Sequence, residues 1–204
     1  LQLRTTQSRF TMPWRSLWLV ILCLDRTTGL RLGGRLGVPS RAVCIAGPSY
    51  GGSGGDLGEA PREDCLMFGS MLQSKGVHVD YKLAQQDERR TRQQVCSLLR
   101  SAFCRPAPDG VNIIYYSGHG VAGHEDTRGA LSIGLGPDVR ELPLAQLRAR
   151  SGNLELTGHR GRKRTYVDAL QRQHLLTLDD CLEVWEEVRG ATRGSRLLIV
   201  ADSC

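Results

Sequence analysis

Apolar residues along this chain come in short blocks, and their spacing separates strands from helices. Ala42 to Ala46 (AVCIA) is an uninterrupted apolar run broken by Gly47-Pro48, which predicts a short buried strand. Pro61 to Lys75 changes to helical spacing, with Cys65, Phe68, Met71 and Leu72 on one stripe. Pro61 suits the first turn, Glu63 and Asp64 complement the amino-terminal dipole, and Gly76 provides a stop. Val77, Val79, Tyr81 and Leu83 then alternate with polar residues and predict a strand at an outer position, with His78 and Asp80 on its polar face. Thr91 to Phe103 predicts a second helix with Val95, Leu98, Leu99 and Ala102 inward, ended by Pro106, Pro108 and Asp109-Gly110.

Val111, Ile113, Ile114, Tyr115 and Tyr116 predict a strand buried on both faces, and Leu197 to Val200 predict another. Strand, helix, strand, helix, strand is the order of an α/β domain with a parallel sheet and helices on its faces. Between the two buried strands the pattern loosens. Val121 to Gly129 predicts a polar loop holding His124, Leu131 to Leu135 a short strand, and Leu144 to Arg150 a short helix. Gly158 to Arg164 (GHRGRKR) predicts an exposed basic loop. The next clear element is a helix over Thr177 to Val188. Thr177 is its N-cap, Asp179 and Asp180 lie in its first turn, and Leu178, Cys181, Leu182, Trp185 and Val188 form its inward stripe, with Gly190 closing it.

At 204 residues the chain can hold one sizeable domain with a single core. Residues 41–204 are assigned to that domain, and residues 1–40 are left as an unassigned leader and linker. Leu17 to Leu24 is too short to span a bilayer, which takes about 20 apolar residues, so no membrane association is expected. Asp25 and Arg26 follow it where a signal peptide would carry small residues. The net charge of +6 comes almost entirely from arginine, since Lys75, Lys82 and Lys163 are the only lysines. No basic stripe interleaved with aromatics and no nucleic-acid module accompanies that charge, so no nucleic-acid partner is expected. The 7 cysteines are odd in number and contain no C-x-x-C pair, which argues against a disulfide framework or a zinc site and for a reducing, cytoplasmic setting. The glycine-dense stretch Tyr50 to Gly58 lacks the lysine of a phosphate-binding loop and the spacing of a dinucleotide fingerprint, and is expected to be a flexible loop.

Both buried strands stop abruptly in reactive polar residues. The first ends in Ser117-Gly118-His119-Gly120, the second in Asp202-Ser203-Cys204. In a parallel sheet the carboxyl ends of neighbouring strands face one crevice, so a base and a thiol delivered there can form a nucleophilic pair. Taken singly, His119 is a histidine in a strand-end turn and Cys204 a buried thiol. The ordered pair is what points to catalysis.

That pair, SGHG after one apolar strand and DSC after the next, resembles the caspase-like cysteine peptidases over Arg41 to Cys204, and their metacaspase- and paracaspase-like branch more than the caspases proper. The resemblance implies a three-layer α/β/α sandwich around a mostly parallel sheet, incomplete at its C-terminal edge because the family continues beyond the thiol. By the same resemblance the Leu197 strand would present an uncovered edge. Residues 1–204 alone would then be inactive and given to self-association through the missing portion. Cys204 would be the nucleophile and His119 the general acid/base, with backbone N–H groups of Gly118 and Cys204 as oxyanion donors. Glycine on either side of His119 would let backbone approach substrate. Asp202 would line the pocket for a basic P1 side chain, making Arg or Lys the cleavage site in protein and peptide substrates, and Arg160 to Arg164 a candidate self-processing site. The glycine-dense loop would border the cleft. Some members of that branch require calcium, but Asp179 and Asp180 are explained by the helix start, so no metal or cofactor is assigned. His119 and Cys204 lie 85 residues apart, against about 50 for a caspase, so a longer segment intervenes here. A non-catalytic caspase-like scaffold is the alternative reading.

Overall fold

The computed structural model describes residues 22–23, 41–49, 57–85, 90–104, 106, 109–121, 130–134, 137–151, 163–190 and 194–203. In chain order its first elements are β1 (Leu22–Cys23), β2 (Arg41–Ala46), α1 (Ala60–Gln73), β3 (His78–Asp80), α2 (Arg92–Ala102) and β4 (Val111–Gly118). There follow β5 (Gly120–Val121), β6 (Ala130–Ser132), a 3-10 turn over Pro137–Arg140, α3 (Leu144–Ser151), α4 (Lys163–Gln173), β7 (Leu175–Thr177), α5 (Leu178–Arg189) and β8 (Arg196–Ser203).

The main sheet has the order β1-β8-β4-β2-β3. Strands β3, β2, β4 and β8 run parallel, and β1 joins the far edge antiparallel. The fold class is therefore α/β around a mostly parallel sheet, as the pattern predicts. Side-chain parity along each strand divides the core into two layers. Val43, Ile45, Ile114, Tyr116, Leu197 and Ile199 pack with Val95 and Leu99 of α2 and with Cys181, Val184 and Trp185 of α5. Ala42, Cys44, Ile113, Tyr115 and Val200 pack on the opposite face with Cys65, Phe68 and Leu72 of α1. The helices change face because the chain changes direction. It steps outward from β2 to β3 through α1, then back across β2 to β4 through α2, and one crossover hand demands opposite faces. The resulting switch point lies between β2 and β4, and the crevice beyond their carboxyl ends is where ligands gather in sheets of this kind.

The helix signals hold in detail. Thr91 caps α2 in a reciprocal box with Gln94, and Thr177 caps α5 in the same way with Asp180. Gly76 and Gly190 follow α1 and α5 at positive φ, +80° and +46°.

Several expectations need correction. Met71 does not join the inward stripe of α1; it is 51% exposed, beside exposed Leu66 and Met67, while Phe68 turns in to stack on Tyr115 at 4.1 Å. The outer strand covers only His78–Asp80, because the chain turns over residues 82–84. Val121 belongs to a strand rather than a loop, since β5, β6 and β7 form a small antiparallel sheet. The basic stretch ending at Arg164 is not wholly a loop: Lys163 begins α4, which packs with α3. Residues 158–162 of that stretch, including Arg160, lie outside the described residues, as do the glycine-dense positions 50–56 and His124. The segment assigned as leader contains β1, which covers the β8 edge at two positions. Leu22 pairs with Ile199 and Cys23 with Leu198.

Candidate active site at the carboxyl ends of the parallel strands

Strands β4 and β8 lie side by side in parallel over their whole lengths, from Val111 opposite Arg196 to Gly118 opposite Ser203. Their final pairs are Ser117 with Asp202 and Gly118 with Ser203. His119 comes next along β4, half-buried in the single-residue gap before β5. Cys204 comes next along β8 and lies outside the described residues.

The turn at His119 is held by its main chain. The His119 carbonyl accepts from the Ser132 N–H at 3.0 Å and lies 2.8 Å from the Tyr116 hydroxyl. Gly118, the expected oxyanion donor, is buried at φ +153°. A Cβ there would meet Tyr116 Oη at 2.5 Å and Gly47 Cα at 2.9 Å. Glycine is thus required at 118 by the close packing of Tyr116 and of Gly47, just past β2, against it.

Asp202 is part of β8 itself, partly exposed, on the side of the sheet that faces α1. Its neighbour across the ladder, Ser117, donates its hydroxyl to Asp64 Oδ2 at 2.9 Å. Asp64 extends from the first turns of α1, whose amino end follows the carboxyl end of β2. Burial first, then the negative charges of Asp202 and Asp64, raises the Tyr115 phenol above its ordinary range, so both carboxylates act on one buried ring. Asp64, Ser117 and Asp202 form one polar group on the α1 side of the strand ends. The sequence pattern points only to Asp202 there; the helix dipole accounts for Asp64, and Ser117 reads as part of the motif around His119.

Five of the cysteines divide by burial. Cys44, Cys65, Cys96 and Cys181 are buried and Cys104 is exposed. A hydrogen bond to Cys44, followed by burial, pushes the Cys65 thiol up, and burial raises Cys96 and Cys181. Those three thiols stay protonated and serve as core residues, while the same Cys44–Cys65 hydrogen bond lowers the Cys44 thiol. Cys104 follows α2 at the amino-terminal side of the sheet, away from His119.

Comparison with models of known protein families, with curated proteins and with solved structures returns no match. Among the described residues no group of acidic, histidine or cysteine side chains forms a metal-binding cluster, and no helix is long and apolar enough to cross a membrane.

Proposed function

We propose that this chain is a cysteine endopeptidase of the caspase-like kind, acting through His119 and Cys204 and cleaving after Arg or Lys. One observation carries the proposal: Gly118 and Ser203 are ladder partners in adjacent parallel strands, and each is followed at once by one of the two reactive residues. Neighbouring strands run about 4.8 Å apart, so both strands hand the chain on from one rung at the same end of the sheet.

In this reading the Cys204 sulfur attacks the scissile carbonyl while its proton passes to the His119 imidazole. The tetrahedral oxyanion is received by main-chain N–H groups, with those of Gly118 and Cys204 as the candidates. His119 then protonates the leaving amine, and water hydrolyses the thioester to return the thiol. Asp202 and Asp64 supply the negative charge that suits a guanidinium or ammonium at P1. A reducing, cytoplasmic compartment would keep the nucleophile as a thiol.

The test uses protein expressed from its full reading frame and two electrophilic peptide probes, one with arginine and one with aspartate at P1. Labelling of the Cys204 peptide by the arginyl probe alone is expected. His119→Ala should lower peptide-amide turnover by about 10²–10⁴. An intact, folded protein that neither turns over arginyl peptides nor labels at Cys204 would defeat the peptidase reading and favour a scaffold.

A further inference from the structure

Tyr116 immediately precedes the Ser117-Gly118-His119 turn and is fully buried, at 0% exposure, on the face of β4 packed against α2 and α5. A phenylalanine ring would fill that space equally well, so the hydroxyl is the feature that needs an account. It lies 2.8 Å from the carbonyl oxygens of both His119 and Ser132. A phenol has one proton to share between them. Ser132 returns the contact through its own N–H, which donates to the His119 carbonyl at 3.0 Å. The His119 peptide is therefore gripped from below by the strand that delivers it and from the side by β6.

The surrounding backbone closes onto the same oxygen. At Gly118 an added Cβ would lie 2.5 Å from Tyr116 Oη, and at Gly47 it would lie 3.3 Å from it. One glycine in β4 and one just past the end of β2 thus settle against one hydroxyl directly beneath the turn. We infer that Tyr116 is a positioning residue: its hydroxyl fixes the main chain from which the His119 imidazole extends, and so sets the aim of the base. The inference rests on the peptidase reading for its consequence in catalysis, though not for the contact itself.

Tyr116→Phe keeps the ring and removes only the donor. In the full-length protein, kcat on an arginyl peptide amide should fall about tenfold, because small misplacements of a reacting group cost up to about a hundredfold. KM should stay within about twofold, since Asp64 and Asp202 lie on the opposite face of the sheet. Tyr116→4-aminophenylalanine puts a donor back and should recover most of the lost kcat. Ile114→Val, on the same strand and face, takes a packing loss without touching the turn and should leave kcat unchanged. Equal kcat in wild type and Tyr116→Phe overturns the inference, as does a fall that Ile114→Val reproduces. If the wild type turns over no peptide, the peptidase reading fails separately. The His119 ring resonances in ¹H–¹⁵N spectra, assigned with His119→Gln, then decide the positioning role. Tyr116→Phe must shift or broaden them, and superimposable spectra overturn it.

Discussion

Asp64→Asn separates charge from shape at the proposed specificity pocket. Asp64 Oδ2 accepts from Ser117 Oγ at 2.9 Å, and a carboxamide oxygen can go on accepting there, so the local geometry should survive. Only the negative charge is lost. A hydrogen bond to a charged group is worth about 1.5–3 kcal/mol, or about 10- to 150-fold at about 1.4 kcal/mol per tenfold. Asp64 is partly exposed, so solvent screening places the effect near the lower end, about tenfold in kcat/KM for an arginyl substrate. Asp202→Asn should behave alike, and the double variant should fall short of the product of the two, because the carboxylates share one site. The assay is steady-state kcat/KM on paired peptides differing only by Arg or Gln at P1. The wild-type preference for Arg should collapse in each variant, with the Gln peptide changed by less than about threefold. Equal losses on both peptides, or an undiminished preference for Arg, would refute the assignment of these carboxylates to P1.

Three further outcomes bear on the fold. His174 is 8% exposed, its Nδ1 lies 2.6 Å from the Arg90 carbonyl, and burial, with a smaller contribution from Arg150, lowers its pKa from 6.5. The unfolded chain then binds more protons than the native one below about pH 6.5. Stability should be full above that pH and decline as pH falls towards the native pKa, a loss that His174→Gln removes from the pH dependence of the urea midpoint. Thr177→Ala breaks the capping box of α5 and should cost about 1 kcal/mol, lowering Tm by about 2–4 °C. Phe68→Ala removes the ring stacked on Tyr115 and should cost about 3 kcal/mol, whereas Met71→Gln should stay within about 0.5 kcal/mol, measured by chemical denaturation.

The elements legible in the sequence are those whose burial is settled by their own residues. β2, β4 and β8 are continuous apolar runs because both of their faces are covered, and α2 and α5 carry caps that mark their starts. The elements that were missed depend on partners distant in sequence. In α4, Val167 and Leu170 are buried with Tyr166 packed beside them, among many charged and amide positions. They pack on Val139 and Leu147 in a satellite cluster rather than on the sheet. β7 has 3 residues, the last of which is also the cap of α5, so the helix signal hides it. β1 is two residues whose identity as a strand exists only through pairing with β8. Among the described residues, the satellite cluster and the small sheet are built largely from the chain between His119 and β8.

The site was legible in proportion to how far it follows from the two central strands. Tyr116 pairs with Ala201, so both apolar runs finish at the same level of the sheet, and Ser-Gly-His and Asp-Ser-Cys begin on the same rung. The sequence contains both motifs but not that rung, since a shift of one residue would turn Asp202 to the opposite face. Asp64 was beyond reach for a different reason. A carboxylate in the first turn of a helix is sufficiently explained by the dipole, and nothing nearby in sequence distinguishes it from Glu63. What distinguishes it is parity at a distance. Ser117 falls on the same face of β4 as Tyr115, α1 covers that face, and the chain reversal between β2 and β4 brings the amino end of α1 over the strand ends. A sequence reading that carried strand parity and crossover direction together could have selected Asp64 from the acidic pair. It would have needed the strand order first, and that order is fixed by packing across the whole sheet.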